Sequence, residues 1–223
     1  MSNSCVITNE EGWYKKALDT DLARPKFAIM NPEITYTLPD YQTQCGCADI
    51  MMHTMERYFV LEDTMEITDK IAQDVMKNVM KYAKILKKDP ENYEARAEIM
   101  WCGSLSHNGL TGCGTCGGDW ATHLIEHELG GMFDVAHGAG LAAVWGSWAR
   151  YVMDEKPERF AQFAVDVMGV EESDDVKSTA LKGIEAVEEF YRMIEMPTNM
   201  KELGINPTDE QIKDMAMKAT NHD

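Results

Sequence analysis

The sequence has 223 residues, 44% of them hydrophobic, and a formal net charge of −17 at pH 7. A chain of this length can bury a sizeable core as one domain, or as one domain with a fragment of another. The negative charge argues against partners such as nucleic acids and anionic membranes, because phosphate groups are bound by clustered Lys and Arg.

The N-terminal segment, residues 1–33, has a pattern typical of strands and loops. Cys5–Thr8 is a short β-rich run, Asn9–Gly12 indicates a turn, and Lys26–Met30 is a second apolar run before Asn31-Pro32. Two strands cannot form a stable sheet alone. We therefore expect this segment to be the edge of a sheet whose other strands are missing.

From Pro39-Asp40 onward the pattern is helical. Residues 68–86 carry apolar side chains at intervals of three and four, which predicts an amphipathic helix. A Gly-rich loop at 109–118 separates the first helices from one that carries His123 and His127. The other predicted helices span residues 40–59, 68–86, 90–107, 138–151, 157–168 and 174–193, so we expect an all-helical domain at 34–223.

One carboxylate and four imidazoles occur in this helical part with regular spacing. Asp49 and His53 lie four residues apart, as do His123 and His127, so each pair shares a helix face. Gly130-Gly131 should end the second helix and let His137 return to the same point. Imidazole nitrogens and one carboxylate oxygen are ligands that a borderline divalent cation prefers. From spacing alone, all five side chains are candidates for one cation.

The alternative is that these residues are ordinary core and capping groups, since lone histidines on apolar faces are more often satisfied core residues. Burying Asp49 or His123 within apolar segments is costly without a partner, however, and a shared cation would compensate it. Glu56 and Glu126 are either solvated or accept the second N–H of a ligating histidine. We expect His107 to be a capping or loop histidine, and His222 to have no function.

The cysteines and glycines suggest other sites less well. Cys113-Gly-Thr-Cys116 has no second Cys-x-x-Cys to complete a zinc site, and free thiols are expected in a reducing compartment. Gly112–Gly117 matches G-x-G-x-x-G but does not follow a strand, as a dinucleotide fingerprint must. No apolar run approaches the ~20 residues of a membrane helix, and the first residues show no signal peptide. We expect a cytoplasmic protein.

Together these segments resemble the iron-containing (group III) alcohol dehydrogenases, and within them the butanol dehydrogenase branch. A D-x₃-H followed by H-x₃-H-x₉-H is more specific than any single motif, and the resemblance covers essentially the whole chain. The matching stretches are 31–39 (NPEITYTLP), 49–59 (DIMMHTMERYF), 118–129 (GDWATHLIEHEL) and 133–142 (FDVAHGAGLA).

The resemblance implies roles for the five residues. Asp49, His53, His123 and His137 would be the four metal ligands, and the metal would usually be Fe²⁺, with Zn²⁺ or Ni²⁺ in some members. His127 would not bind the metal; it matches a histidine proposed to relay a proton near the substrate.

The resemblance also implies a mainly α fold, the dehydroquinate synthase-like C-terminal domain, with 1–33 as a β remnant of a nucleotide-binding domain. That domain holds NAD(H) or NADP(H) through a Gly-Gly-Gly-Ser motif, which this sequence lacks. Only Ser4 and Lys26 match cofactor-contact positions. We therefore expect a fragment, shortened at both ends, that binds metal but lacks most of the cofactor domain and is inactive alone.

The implied function is a metal-dependent, NAD(P)-linked alcohol dehydrogenase or aldehyde reductase. Trp101, Trp120, Leu124 and Phe133 suggest an apolar cleft for a small aliphatic alcohol such as butanol, and the exposed sheet edge favours a homodimer. Two alternatives stay open. One is a non-catalytic helical metal-binding module that pairs with a separate nucleotide-binding domain. The other is a hydrolase of the His-Asp type, for which the sequence offers only the terminal His222-Asp223.

Overall fold

The structure, a computed structural model, describes residues 3–62 and 64–220. Within these ranges it contains one two-stranded sheet and eight α-helices, so the predicted mainly α fold is confirmed. The helices are α1 (Asp40–Tyr58), α2 (Glu66–Leu86), α3 (Tyr93–His107), α4 (Ala121–Phe133), α5 (His137–Val152), α6 (Pro157–Asp166), α7 (Val176–Met193) and α8 (Asp209–Thr220).

The N-terminal sheet is a local hairpin of β1 (Ser4–Asn9) and β2 (Tyr14–Asp19), paired antiparallel with Asn9 opposite Tyr14. Gly12 takes a left-handed conformation in the turn (φ 86°), which glycine adopts without strain. The prediction of a second strand at Lys26–Met30 is wrong. That segment is exposed and irregular, and β2 was missed because its adjacent lysines hide the β pattern.

The prediction that Gly130-Gly131 would end α4 is also wrong. The helix continues to Phe133 and ends at Asp134, whose backbone is left-handed (φ 52°). The two glycines instead allow the hairpin to approach the helix. A Cβ at Gly131 would lie 2.6 Å from the Trp13 carbonyl oxygen, and one at Gly130 would lie 2.6 Å from Lys15 Nζ.

Helix α1 is at the centre of the molecule, because it packs against α2, α3 and α5. Its buried face carries Met51, Met52 and Met55, which join one large core cluster with Trp145 of α5 and Tyr191 of α7. Methionine adapts to the irregular spaces between crossing helices. Helix α6 packs on α7 and closes the far side of this core.

Two close contacts fix the packing of helices around this core. Gly138, at the start of α5, packs so closely on α1 that a Cβ there would overlap the carbonyl oxygen of Cys45. Arg159 of α6 forms a buried bidentate ion pair with Asp69 of α2, with both N–O distances 2.6 Å. None of the helices in the described ranges is long and apolar enough to cross a membrane.

Candidate metal centre

Three helices bring the predicted ligands together. Asp49 and His53 lie one turn apart on α1, His123 is in the first turn of α4, and His137 is the first residue of α5. Because α5 packs against both α1 and α4, the residues converge although 88 positions separate the first from the last.

The four side chains converge on one carboxylate oxygen. Asp49 Oδ1 lies 3.5 Å from Nε2 of His53, 3.5 Å from Nε2 of His123 and 3.6 Å from Nε2 of His137. A cation placed between these atoms would have three nitrogen donors and one anionic oxygen donor. Separations of 3.5 Å between donors are about what ligands 2.0–2.2 Å from one Zn²⁺ or similar ion show.

The chemistry of these atoms fits a cation. Asp49 Oδ1 and His123 Nε2 are buried and have no hydrogen-bond partner within residues 3–62 and 64–220. A buried polar atom without a partner costs free energy, and a metal ion at this point would satisfy both atoms at once. Asp49, His53 and His123 also form a cluster whose ligand atoms lie within 4.8 Å of one another.

Glu56 holds His123 at two points. One of its carboxylate oxygens accepts the backbone N–H of His123 at 3.0 Å, and the other contacts Nδ1 of the same residue. Glu56 is fully buried on α1, one turn beyond His53. The contact at Nδ1 leaves Nε2 facing Asp49, which is how metal-binding histidines are usually oriented.

Glu126 orients the ring of His137 in a similar way, but through Nδ1 alone. Its Oε2 contacts His137 Nδ1, and the carboxylate also forms an ion pair with Lys15 Nζ of β2 at 3.4 Å. Glu126 is fully buried. The expectation that the two glutamates are solvated is therefore wrong, and the alternative of hydrogen-bond partners for the histidines agrees with the structure.

The charges of the cluster are set by burial and by mutual contact. Burial alone would raise the pKa of Asp49, but contacts with His107 and His123 bring it well below its usual range. Burial lowers the pKa of His53 to about 2, against the opposing charge of Asp49. Burial also disfavours charge on His123, yet Asp49 and Glu56 outweigh it and raise the pKa to about 9. The carboxylate and His53 are thus in the protonation states that metal binding needs.

His107 was not expected in this site, and the structure places it there. Its Nε2 lies 3.5 Å from Asp49 Oδ2, and its ring lies against that of His53 at a centroid distance of 3.8 Å, with the two planes tilted by 39°. Sequence spacing could not show this, because the contact depends on where α3 crosses α1.

His127 lies beside the centre, on the same face of α4 as His123. Its ring centroid is 5.6 Å from that of His137 and 6.3 Å from that of His123. With Glu126 and His137 it forms a second compact cluster. Since the Glu126 carboxylate already contacts His137 and Lys15, this second cluster is a weaker cation position than the one around Asp49.

Trp120 forms one wall of the centre. Its ring meets those of His53 and His123 edge to face, with both centroid distances 5.4 Å, and the guanidinium carbon of Arg57 lies over the ring, 4.6 Å from its centroid. Its backbone is left-handed (φ 63°), which is uncommon for a bulky residue and marks a position held by its surroundings. Trp101, by contrast, is largely exposed.

The remaining candidates lie elsewhere. Ser4 is the first residue of β1, and Lys26 lies in the exposed segment after β2. His222-Asp223 lies outside the described residues.

Residues 43–223 match the Fe-containing alcohol dehydrogenase family, C-terminal. The chain belongs to this family. The match covers most of the chain and coincides with the helical part, so the resemblance seen in the sequence is confirmed.

Relatives and solved structures agree with this assignment. The chain is 35% identical to NADH-dependent butanol dehydrogenase A of Clostridium acetobutylicum, over 92% of this chain and 53% of the relative. It is 33% identical to the NADPH-dependent aldehyde reductase YqhD of Escherichia coli, over 90% of this chain and 51% of the relative. The crystal structure of NADH-dependent butanol dehydrogenase A from Thermotoga maritima superposes with a TM-score of 0.92 at 36% identity, covering 98% of this chain and 54% of that one. The chain spans about half the length of the curated relatives it matches.

Proposed function

We propose that this chain supplies the metal centre of a metal-dependent, NAD(P)-linked alcohol dehydrogenase or aldehyde reductase that acts on small aliphatic alcohols such as butanol. The observation that carries the proposal is the convergence of three imidazole Nε2 atoms on Asp49 Oδ1. The similarity to a butanol dehydrogenase and to an aldehyde reductase supports the reaction and the substrate class.

In this proposal Asp49, His53, His123 and His137 are the metal ligands. Fe²⁺ is the expected ion because of the family, and Zn²⁺ or Ni²⁺ would also suit three imidazoles and one carboxylate. A bound divalent cation supplies Lewis acidity at the alcohol or carbonyl oxygen. The contacts of Glu56 and Glu126 keep two of the imidazoles oriented toward the ion.

His127 is the proposed proton carrier. It projects from α4 one turn beyond His123 and lies next to the imidazole cluster without contributing to the group around Asp49. Imidazole has an ordinary pKa near neutral pH, so it can take the hydroxyl proton during oxidation and return it during reduction. Trp120 excludes water on one side and favours an apolar substrate.

The hydride acceptor in this proposal is a nicotinamide, and Ser4 and Lys26 are its proposed contacts in this chain. Both residues lie in the N-terminal segment, outside the helical part that carries the metal cluster. The Gly-Gly-Gly-Ser motif does not occur in the 223 residues. We therefore expect the 223-residue polypeptide to bind metal without turning over alcohol. A homodimer and a cytoplasmic location also remain predictions.

The metal part of the proposal is tested by elemental analysis. We expect about one metal ion per chain in the purified protein, and little in Asp49→Ala or His123→Ala, because each variant removes one of four ligands. A surface variant such as Glu185→Gln is the matched control. Unchanged metal content in both ligand variants would contradict the ligand assignment.

The catalytic part is tested by mixing. The metal-loaded chain is combined with the separately expressed nucleotide-binding half of the Clostridium relative, and NADH-dependent reduction of butanal is followed. Recovered activity that His127→Asn lowers about 10²- to 10⁴-fold at unchanged metal content would support the role of His127 as proton carrier.

Since the chain spans about half the length of its relatives, a non-catalytic metal-binding module is the second candidate function. It predicts full metal loading and no activity in any mixture.

A further inference from the structure

His107 is a fourth imidazole at the centre, and the proposed ligand set does not use it. It is the last residue of α3, whereas the other histidines come from α1, α4 and α5. Its Nε2 lies 3.5 Å from Asp49 Oδ2. The three other imidazoles all approach Oδ1, so His107 meets the opposite oxygen of the same carboxylate.

Three contacts hold the His107 ring in place. Its Nδ1 lies 2.7 Å from the Ser106 hydroxyl and 2.9 Å from the Gly103 carbonyl oxygen. Its ring lies against that of His53 at a centroid distance of 3.8 Å, in a tilted arrangement. The helix end is itself tied to α1, because Arg57 donates hydrogen bonds to the carbonyl oxygens of both His53 and Ser106, at 2.8 and 2.7 Å.

The contacts at Nδ1 admit two tautomers, because the Ser106 hydroxyl can donate to this nitrogen and the Gly103 carbonyl oxygen can only accept from it. When the Ser106 hydroxyl donates to Nδ1, the ring proton is on Nε2 and faces Asp49 Oδ2 as a donor. In the other tautomer Nδ1–H donates to the Gly103 carbonyl oxygen, and Nε2 points a lone pair at the Asp49 carboxylate, which is repulsive unless a cation lies between them. The first tautomer sets the Nδ1 lone pair beside the Gly103 carbonyl oxygen, and it needs no cation between His107 and Asp49.

We propose that His107 is a positioning residue of the metal centre: its Nε2–H binds Asp49 Oδ2 and keeps Oδ1 directed at the point shared by His53, His123 and His137. A carboxylate held by one oxygen binds a metal through the other, and groups that hydrogen-bond ligands commonly set metal affinity. The inference rests on the proposed function, since it assigns a role toward the same ion.

The experiment measures Co²⁺ binding to the full 223-residue chain by its ligand-field absorption. His107→Leu removes both ring nitrogens at similar volume, and we expect the Kd for Co²⁺ to rise about 10- to 100-fold. The band positions and intensities, which report the number and geometry of the ligands, should stay as in the wild type. His107→Gln retains an N–H donor but is a poor metal ligand, so it should restore much of the affinity.

Each outcome separates the role of His107 from the underlying proposal. An unchanged Kd in His107→Leu overturns the positioning role. A changed band pattern in His107→Leu, with no rescue by glutamine, also overturns it, because His107 would then be a ligand. Failure of the wild type to bind Co²⁺ at all contradicts the proposed function instead. If the leucine variant does not fold, His107→Ala, which adds no side-chain volume at the end of α3, carries the same test.

Discussion

Among single residues, Glu56 determines both the position and the ring orientation of the proposed ligand His123. Both of its oxygens act as acceptors for the same residue, His123, one for the backbone N–H and one for the ring. The first bond fixes the start of α4, and the second fixes the direction of the imidazole. A carboxylate is the only side-chain group that can accept at both points without offering a donor.

Glu56→Gln should therefore weaken metal binding without unfolding the protein. An amide has one acceptor oxygen, so its NH₂ group must face one of the two N–H donors of His123. We expect the Kd for Zn²⁺ to rise about 10- to 100-fold, measured by competition with a chromophoric chelator. Glu185→Gln, exposed on α7, is the control. Equal affinity in the two variants would contradict the role of Glu56.

The residue-level predictions from sequence succeeded where the spacing is local. The i, i+4 pairs place Asp49 with His53, and His123 with His127, on shared faces, as the structure has them. His107 was misjudged because its partner, Asp49, lies 58 positions earlier, and their contact depends on a crossing between helices. The structure brings the proposed ligands together around Asp49 Oδ1.

At the scale of elements, the crossing of α1 and α5 sets the position of His137. Gly138 follows this residue and lies against the Cys45 carbonyl. Gly138→Ala must push the two helices apart, and we expect it to lower the free energy of unfolding by about 1–3 kcal/mol or more and to weaken metal binding. Urea denaturation and metal titration measure the two effects.

Gly46 is the matched control for that substitution. It is exposed in the middle of α1, and a Cβ there would meet nothing within 4 Å. Gly46→Ala should stabilise the protein by about 0.5–1 kcal/mol, because alanine is the better helix former. Equal destabilisation by both substitutions would mean that the close approach at Gly138 has no energetic role.

The ion pair between Asp69 of α2 and Arg159 of α6 should make the free energy of unfolding depend on pH. Burial disfavours a charged Asp69, but the bidentate contact with Arg159 and the hydroxyl of Thr64 outweigh it and lower the pKa of the carboxyl. A lowered folded-state pKa gives stability that is fully present above the unfolded-state pKa and is lost as the pH falls through the folded-state value.

Asp69→Asn should consequently lower the free energy of unfolding most near neutral pH. Removing one partner of a buried ion pair costs about 3–5 kcal/mol, and the difference from wild type should shrink below about pH 4. Urea titrations at several pH values measure it. Asp74→Asn, which alters an exposed pair on the same helix, is the control. A difference that stays constant down to acidic pH would contradict the ion-pair argument.

Helix prediction from sequence worked best for long amphipathic segments such as α2 and α7. Prediction from sequence failed where glycines and lysines make contacts with distant parts of the chain. Gly130-Gly131 resembles a helix stop, but the pair is required by the hairpin that lies on α4. Strand β2 contains Lys15, whose partner Glu126 is 111 residues away, so the short-range pattern could not indicate it.

At the scale of the whole molecule, a cation at the proposed site would join segments that are far apart in the chain. Because the ion binds the folded centre and not the separated ligands, it should stabilise the native state by about 2.7 kcal/mol at 100 times its Kd. For a chain of this size we expect the melting temperature to rise by about 5–10 °C. Thermal unfolding with added Zn²⁺ or with EDTA measures the change.

Asp49→Ala provides the control for this experiment, since its melting temperature should not respond to added metal. A rise of the same size in the variant would mean that the ion binds elsewhere. Both measurements use the 223-residue chain, so they do not depend on the nucleotide-binding half of the relatives.

The ion pair between Lys15 and Glu126 has a consequence for communication between the hairpin and the centre. Glu126 contacts His137 with the same carboxylate, so Lys15 and Glu126 link the hairpin to the imidazole cluster. Free-energy coupling between two sites is reciprocal. A molecule that binds the hairpin and keeps it in this position would raise the affinity of the centre for a cation. A cation that fixes His137 would raise the affinity for that molecule by the same factor.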